Sequence, residues 1–284
     1  MMRIDAHHHV WRLSRADYGW LTPERGPIYR DFGLADLMPH LAAAAIEGTI
    51  LVQAAPTEAE TAFMLDVAKG SELVRGVVGW IDFDADDAAT RVDAIAGREL
   101  LVGLRPMVQD IADDDWLLRA ALAAPLEAMA QYGLVFDALV LPRHLPRLVQ
   151  VVDRHSDLQF VLDHFGKPQL ATGDIAAWKD DIASLAARSN VVCKLSGLAT
   201  EAAPNWQVVD LREAVDHALA CFGPQRMLWG SDWPVVNLAG GYAQWFAAAE
   251  TLLADLSSEA RAAIFGGNAA RVYLSSRGRR TSRK

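Results

Sequence analysis

The chain has 284 residues, 52% of them hydrophobic, and a formal charge of −9. That length suits one large α/β domain or two small ones, and an acidic body offers no electrostatic footprint for nucleic acid. Two cysteines, Cys193 and Cys221, make no disulfide framework, and neither an apolar leader nor a run of ~18 apolar residues appears, so a soluble cytoplasmic protein with no membrane partner is expected.

Short β-branched apolar runs alternate with longer amphipathic segments. The first run, RIDAH (3–7), leads into three consecutive histidines, and TILVQA (49–54) follows. Thr57-x-x-Glu60 then reads as a capping box opening a helix that Gly70 closes. VRGVVGWID (74–82) and LLVGLRPM (100–107) are the next two strands. The periodic segment 117–132 ends before Gly133, with Pro125 expected to kink or split it. LVFDALV (134–140), QFVLDHFG (159–166), VVCKLSG (191–197) and MLWGSDWP (227–234) complete eight strands. Helices are predicted over 175–188 and 211–222, and residues 242–274 supply a final helical layer.

Eight near-continuously apolar strands alternating with helices predict a single-domain (β/α)₈ TIM barrel over residues 1–274. A doubly wound sheet is the rival, but no GxGxxG or GxxxxGK[ST] follows a strand. The last ten residues, SSRGRRTSRK (275–284), are basic and polar, and are expected to be a disordered tail.

Barrel chemistry sits at the C-terminal strand ends, and the polar residues concentrate there. Side chains alternate along a strand, so His7 and His9 share one face while His8 points away and is expected to be dispensable. Gln53 ends the second strand, Trp80 and Asp82 the third, Arg105 and Gln109 the fourth. The fifth holds Asp137, the sixth ends in Asp163-His164, and the eighth ends in Ser231-Asp232-Trp233. In the seventh strand Lys194 and Ser196 face inward, while Cys193 faces the helices as a packing residue. A lone histidine at a strand end is usually structural, and an aspartate there is often an N-cap. Their coincidence at one mouth matters more: His7, His9, His164 and Asp232 suit Zn²⁺ or a similar divalent ion. Arg105 suits a carboxylate or vicinal oxygens, or pairs with a local aspartate. No GxSxG supports a serine nucleophile. His40, His144, His155 and His217 read as surface or packing residues.

The stretches IDAHHHVW, GLRPMVQD, VFDALV, VLDHFGKP, VVCKLSGL, LWGSDWPV and GGNAARVY together resemble the amidohydrolase superfamily. More narrowly, they resemble its metal-dependent barrel hydrolases that include lactonases of L-fuconolactone and L-rhamnonolactone. The resemblance implies a catalytic centre of His7, His9, His164 and Asp232, holding one divalent metal (Zn or Mn) or working without it. It also implies a substrate pocket of Gln53, Arg105 and Lys194, to which Gln109, Asp137 and the stacking walls Trp80 and Trp233 are added. The expected reaction is hydrolysis of a sugar-acid lactone, with Asp232 as general base. The alternatives are a lactonase or decarboxylase of aromatic-catabolism intermediates, and a barrel that binds sugar without turnover. Homo-oligomerisation is left open.

Overall fold

In the computed structural model, which describes residues 2–275, eight parallel strands follow one another around a barrel in sequence order. They are β1 (Ile4–His8), β2 (Gly48–Val52), β3 (Val74–Gly79), β4 (Leu101–Leu104), β5 (Val135–Ala138), β6 (Phe160–Leu162), β7 (Val191–Leu195) and β8 (Met227–Trp229). The seam between β8 and β1 is joined just past β8: Asp232 N donates to His7 O at 2.8 Å and His9 N to Trp233 O at 2.7 Å. Helices α1 (Leu34–Ala43), α2 (Glu58–Lys69), α3 (Ala88–Ala96), α4 (Ala123–Gln131), α5 (Leu145–Arg154), α6 (Ala176–Ala186), α7 (Leu198–Glu201), α8 (Val208–Phe222), α9 (Tyr242–Leu252) and α10 (Ser258–Ala262) lie between and after the strands. This is the single-domain (β/α)₈ barrel that the sequence predicts.

The strands are buried on both faces, which explains their continuous apolar character. Ile4, Ala6, Ile50, Val52, Val78, Val102, Val135, Val161, Val192 and Leu228 fill the barrel interior, and Ala269, Val272 and Tyr273 pack with them. The C-terminal stretch therefore closes the end of the barrel opposite the histidines. Gly266 permits the close approach, because a Cβ there would lie 2.0 Å from the Met2 carbonyl oxygen. No helix among the described residues is long and apolar enough to cross a membrane. From residue 276 onward the basic tail lies outside the described residues.

Several local expectations change. Thr57 caps α2 through Oγ1, which accepts Glu60 N at 3.1 Å. The Glu60 carboxylate does not return to Thr57 but accepts from Ala54 N at 3.2 Å and Tyr18 OH at 2.8 Å. Donors from the loops after β1 (Tyr18) and β2 (Ala54) thus replace the reciprocal half of the box. Segment 117–132 is split: short 3₁₀ turns at Trp116–Leu118 and Ala120–Leu122 precede α4, whose first turn accommodates Pro125. The sixth strand ends at Leu162 rather than 166, because His164, Phe165, Gly166 and Lys167 all have φ between 54° and 67°.

Candidate active site

β1 sets the histidine pair by an irregularity. Ile4 and Ala6 face the barrel interior, so strict alternation would carry His8 inward. A register shift against β2 between Asp5 and His8 instead turns His7 and His9 inward. His8 then faces the helix layer, where its Nε2 lies 2.9 Å from Thr49 Oγ1. It is fully buried there, and burial lowers its pKa to about 3. The residue is away from the mouth as expected, but it is an integral packing residue rather than an idle one.

Asp5 fixes this distortion. Its Oδ1 accepts His7 N at 3.1 Å and Ser231 N at 2.9 Å, tying β1 to the segment that presents Asp232. Gly230 lets the two segments meet: a Cβ there would sit 2.6 Å from His7 Cβ. Asp232 itself has φ 56°, and His164 has φ 54°. Left-handed backbone at non-glycine residues is costly and concentrates at functional sites.

The four residues of the expected centre converge. Asp232 Oδ1 lies 3.2 Å from His9 Nε2, 3.7 Å from His7 Nε2 and 4.0 Å from His164 Nε2. His7 Nε2 and His9 Nε2 are 3.3 Å apart. The remaining ring nitrogens are held from behind: His9 Nδ1 is 2.8 Å from the Val52 carbonyl, and His164 Nδ1 is 2.8 Å from Ser196 Oγ. A carbonyl only accepts, so His9 carries a proton on Nδ1 and turns Nε2 toward a carboxylate oxygen. An imidazole nitrogen and a carboxylate oxygen at that distance require a proton or a cation between them. His7, His9 and Asp232 offer ligand atoms within 4.8 Å of one another, as do His7, Asp163 and His164. The donor set therefore fits a divalent ion of the kind imidazole and carboxylate bind.

Burial sets the charge states. It drives His7 well below its ordinary pKa, reinforced by Lys194, and lowers His164 to about 4 against the pull of Asp232 and Asp163. Burial alone would raise the Asp232 carboxyl, but the adjacent His164, the hydrogen bond with His9 and the nearby His7 hold it below its ordinary range. Asp232 is buried at the mouth with 5% of its surface accessible, and His9 and His164 are each at 4%.

Beneath this mouth lies a second layer, where the structure departs from the expected substrate pocket. Lys194 is fully buried; its Nζ lies 2.5 Å from Asp137 Oδ2, 3.0 Å from Asp163 Oδ1 and 3.3 Å from His7 Nδ1. Arg105 Nη1 bonds Asp163 Oδ2 at 3.1 Å and lies 3.3 Å from His7 Nε2. Gln53 spends both ends on Arg105: its Oε1 accepts Nη2 at 2.9 Å and its Nε2 donates to the Arg105 carbonyl at 3.1 Å. Gln53, Arg105, Asp137 and Lys194 thus support the histidines from within the barrel rather than lining an open pocket. Trp233 also differs from its expected role: its ring is 1% accessible and packs against Phe32 and His40, leaving no face for a sugar. Trp80 and Gln109 remain half-buried at the ends of β3 and β4, and Gln109 Oε1 has no hydrogen-bond partner.

Asp5 and Tyr273 belong to the network without having been expected in it, and Asp163 and Ser196, placed at strand ends by the sequence but given no role there, belong to it too. Alternation finds Asp163, because it follows inward Val161 by two residues. Ser196 is inward by the same argument from Val192 and Lys194. Nothing local marks Tyr273, whose OH donates to both Asp137 oxygens at 2.9 Å from the far end of the chain.

A (β/α)₈ barrel with an inward HxH on its first strand, a further histidine after the sixth and an aspartate after the eighth defines a barrel hydrolase. Comparison with known proteins agrees. The family model described as amidohydrolase matches residues 4–274, and the chain belongs to that family. It is 43% identical over 275 residues, 95% of both chains, to an L-fucono-1,5-lactonase of Burkholderia ambifaria. It is 40% identical over 290 residues, 96% of both chains, to an L-fucono-1,5-lactonase of Burkholderia multivorans. A crystal structure of a Burkholderia multivorans amidohydrolase with bound zinc superposes with a TM-score of 0.91 at 39% identity, covering 96% of this chain and 99% of the other.

Proposed function

We propose that the protein opens the ring of a sugar-acid lactone of the L-fucono-1,5-lactone type, with Asp232 as the general base. The observation that carries this reading is the ionised Asp232 carboxylate facing three imidazole nitrogens at a nearly water-excluded mouth. Asp232 accepts a proton from water as its oxygen attacks the lactone carbonyl. The ring C–O bond then breaks, and protonated Asp232 returns the proton to the departing alkoxide. His7, His9 and His164 face the position where negative charge develops, and an ester leaving group asks for no stronger acid. His7, His9, His164 and Asp232 would hold a divalent ion such as zinc, which when bound supplies a Lewis acid for the carbonyl oxygen. Trp80 would offer the sugar a stacking face, and the buried, unpartnered Gln109 Oε1 would have to turn toward the mouth to accept from a sugar hydroxyl. Two unpaired thiols, Cys193 and Cys221, suit a cytoplasmic setting.

A substrate with several carboxylates, as in aromatic catabolism, favours free guanidinium groups, and Arg105 is already engaged by Asp163 and Gln53. A barrel that binds sugar without turnover is disfavoured by full-length similarity to two lactonases. The test is a pH-indicator assay of zinc-replete protein across aldonolactones that include L-fucono-1,5-lactone. Rapid acid release is expected there, and rates no faster than spontaneous hydrolysis across the panel refute the reading.

A further inference from the structure

The GGNAARVY stretch near the C-terminus lies on the opposite side of the barrel from the mouth, yet one of its side chains enters the polar layer. Asn268 Nδ2 donates to the carbonyls of Pro224 and Met227, both at 2.8 Å, anchoring the stretch to the start of β8. From that anchor Tyr273 points up the barrel axis and is fully buried. Its OH is shared between the two oxygens of Asp137, and its ring lies 5.4 Å from Lys194 Nζ.

We propose that Tyr273 is a positioning residue of the hydrolytic site, acting through Asp137, Lys194 and Asp163 on His7. Each link is a short contact between fully buried groups. Tyr273 orients the Asp137 carboxylate, and Asp137 Oδ2 fixes Lys194 Nζ at 2.5 Å. Lys194 Nζ then reaches Asp163 Oδ1 at 3.0 Å, and that same oxygen faces His7 Nδ1 at 3.5 Å. Without the hydroxyl, nothing else in the described structure holds Asp137 from below, and the carboxylate is free to rotate. Lys194 follows its nearest counter-charge, so the support behind His7 shifts while the barrel walls stay. Partners behind catalytic imidazoles orient the ring and set its basicity, and their loss costs about tenfold or more. The chain of contacts also explains why a hydroxyl, rather than a plain phenyl ring, occupies an otherwise apolar plug of Ala269 and Val272.

The inference rests on the hydrolase reading for its kinetic arm only. Tyr273→Phe keeps the ring over Lys194 and removes the hydroxyl. Its kcat on the best aldonolactone is expected to fall about tenfold with KM within about twofold. Asp137→Asn should do the same, and adding Tyr273→Phe to it should change little more, because both act through one link. In histidine ¹⁵N-labelled protein, with His7→Gln to assign the signals, the His7 imidazole resonances should move in Tyr273→Phe. Unmoved His7 signals with a kcat within twofold of wild type overturn the proposal. If Tyr273→Phe does not fold, Asp137→Asn carries the same two readouts; loss of the fold in both also overturns it, since the pair would then serve the barrel alone. A wild-type protein silent on every lactone refutes the hydrolase reading and leaves the His7 measurement standing.

Discussion

Replacing Lys194 by methionine removes the ammonium that two buried carboxylates share while keeping most of the side-chain volume. Lys194, Asp137 and Asp163 are each 0% accessible, with Nζ 2.5 Å and 3.0 Å from the two carboxylates. Breaking a buried ion pair by deleting one partner costs about 3–5 kcal/mol, because the other charge stays unsolvated. Arg105 continues to hold Asp163, so the loss falls on Asp137. Burial already pushes that carboxyl upward and Lys194 opposes the rise. In the variant Asp137 takes up a proton, which limits the loss to the lower part of that range. For a chain of this size, about 3 kcal/mol corresponds to a fall of roughly 10 °C in Tm. Urea unfolding at pH 7 measures it, read as a change in midpoint at constant slope. The double variant Lys194→Met/Asp137→Leu removes both charges and should recover about half of the loss or more, short of full recovery because the Tyr273 OH then lacks an acceptor. A single variant within about 1 kcal/mol of wild type, the range of an exposed pair, would refute the reasoning.

The other expectations separate catalysis from support. Asp232→Asn should retain the fold and lower turnover about 10²-fold or more, and a near wild-type rate would remove Asp232 as the base. His8→Gln should leave kcat/KM within about threefold but lower stability by about 1–2 kcal/mol, since His8 is buried and bonded to Thr49; equal kinetic damage at His7, His8 and His9 would contradict the inward phase. Glu60 is raised by burial from 4.5 to about 7. The folded state therefore binds its proton more tightly than the unfolded chain, and Glu60's stabilisation is full below 4.5 and lost as pH rises through about 7. The stability difference between wild type and Glu60→Gln should drift toward the variant's favour over that window, and a flat difference would refute the assignment. Dialysis against a chelator should lower Tm and added Zn²⁺ should restore it, whereas calorimetry showing no zinc binding would refute the metal assignment.

The barrel was legible because its strands are buried on both faces, and that burial writes continuous apolar runs into the sequence. The mouth was legible because His7, His9, His164 and Asp232 occur at strand ends, where few polar residues have any packing reason to be. The support layer was harder to read. Gln53, Lys194 and Asp137 look like pocket residues from their strand positions, but depth along the barrel axis is not encoded in alternation. Arg105 was open to either reading, and its pairing with Asp163 shows which applies. Trp233 misled for a related reason: it adjoins Asp232, yet the positive φ at Asp232 sends the following ring outward against Phe32. The β1 bulge was invisible as well. His7 and His9 share a face under either phase, so pairing followed from period two, but which face pointed inward depended on a register shift set by β2 and Asp5.

The charges in the two layers bear on the role proposed for Asp232. In the lower layer Lys194 and Arg105 meet Asp137 and Asp163, two cations against two anions, each carboxylate bonded to a donor that is itself buried. That set is internally balanced and has no reason to exchange a proton with substrate. Asp232 stands apart: among the described residues its ion-pair neighbours are histidines, of which His7 and His164 are driven toward neutrality by burial. Asp232 is thereby left as a carboxylate at the mouth, 5% accessible, that no lysine or arginine pairs among the described residues. A proton released from an attacking water, or a divalent ion if the imidazoles held one, would compensate that charge without disturbing the layer below. The buried quartet is charge-balanced on its own, which is consistent with the proposal that Asp232 is the group that would take up positive charge during the reaction.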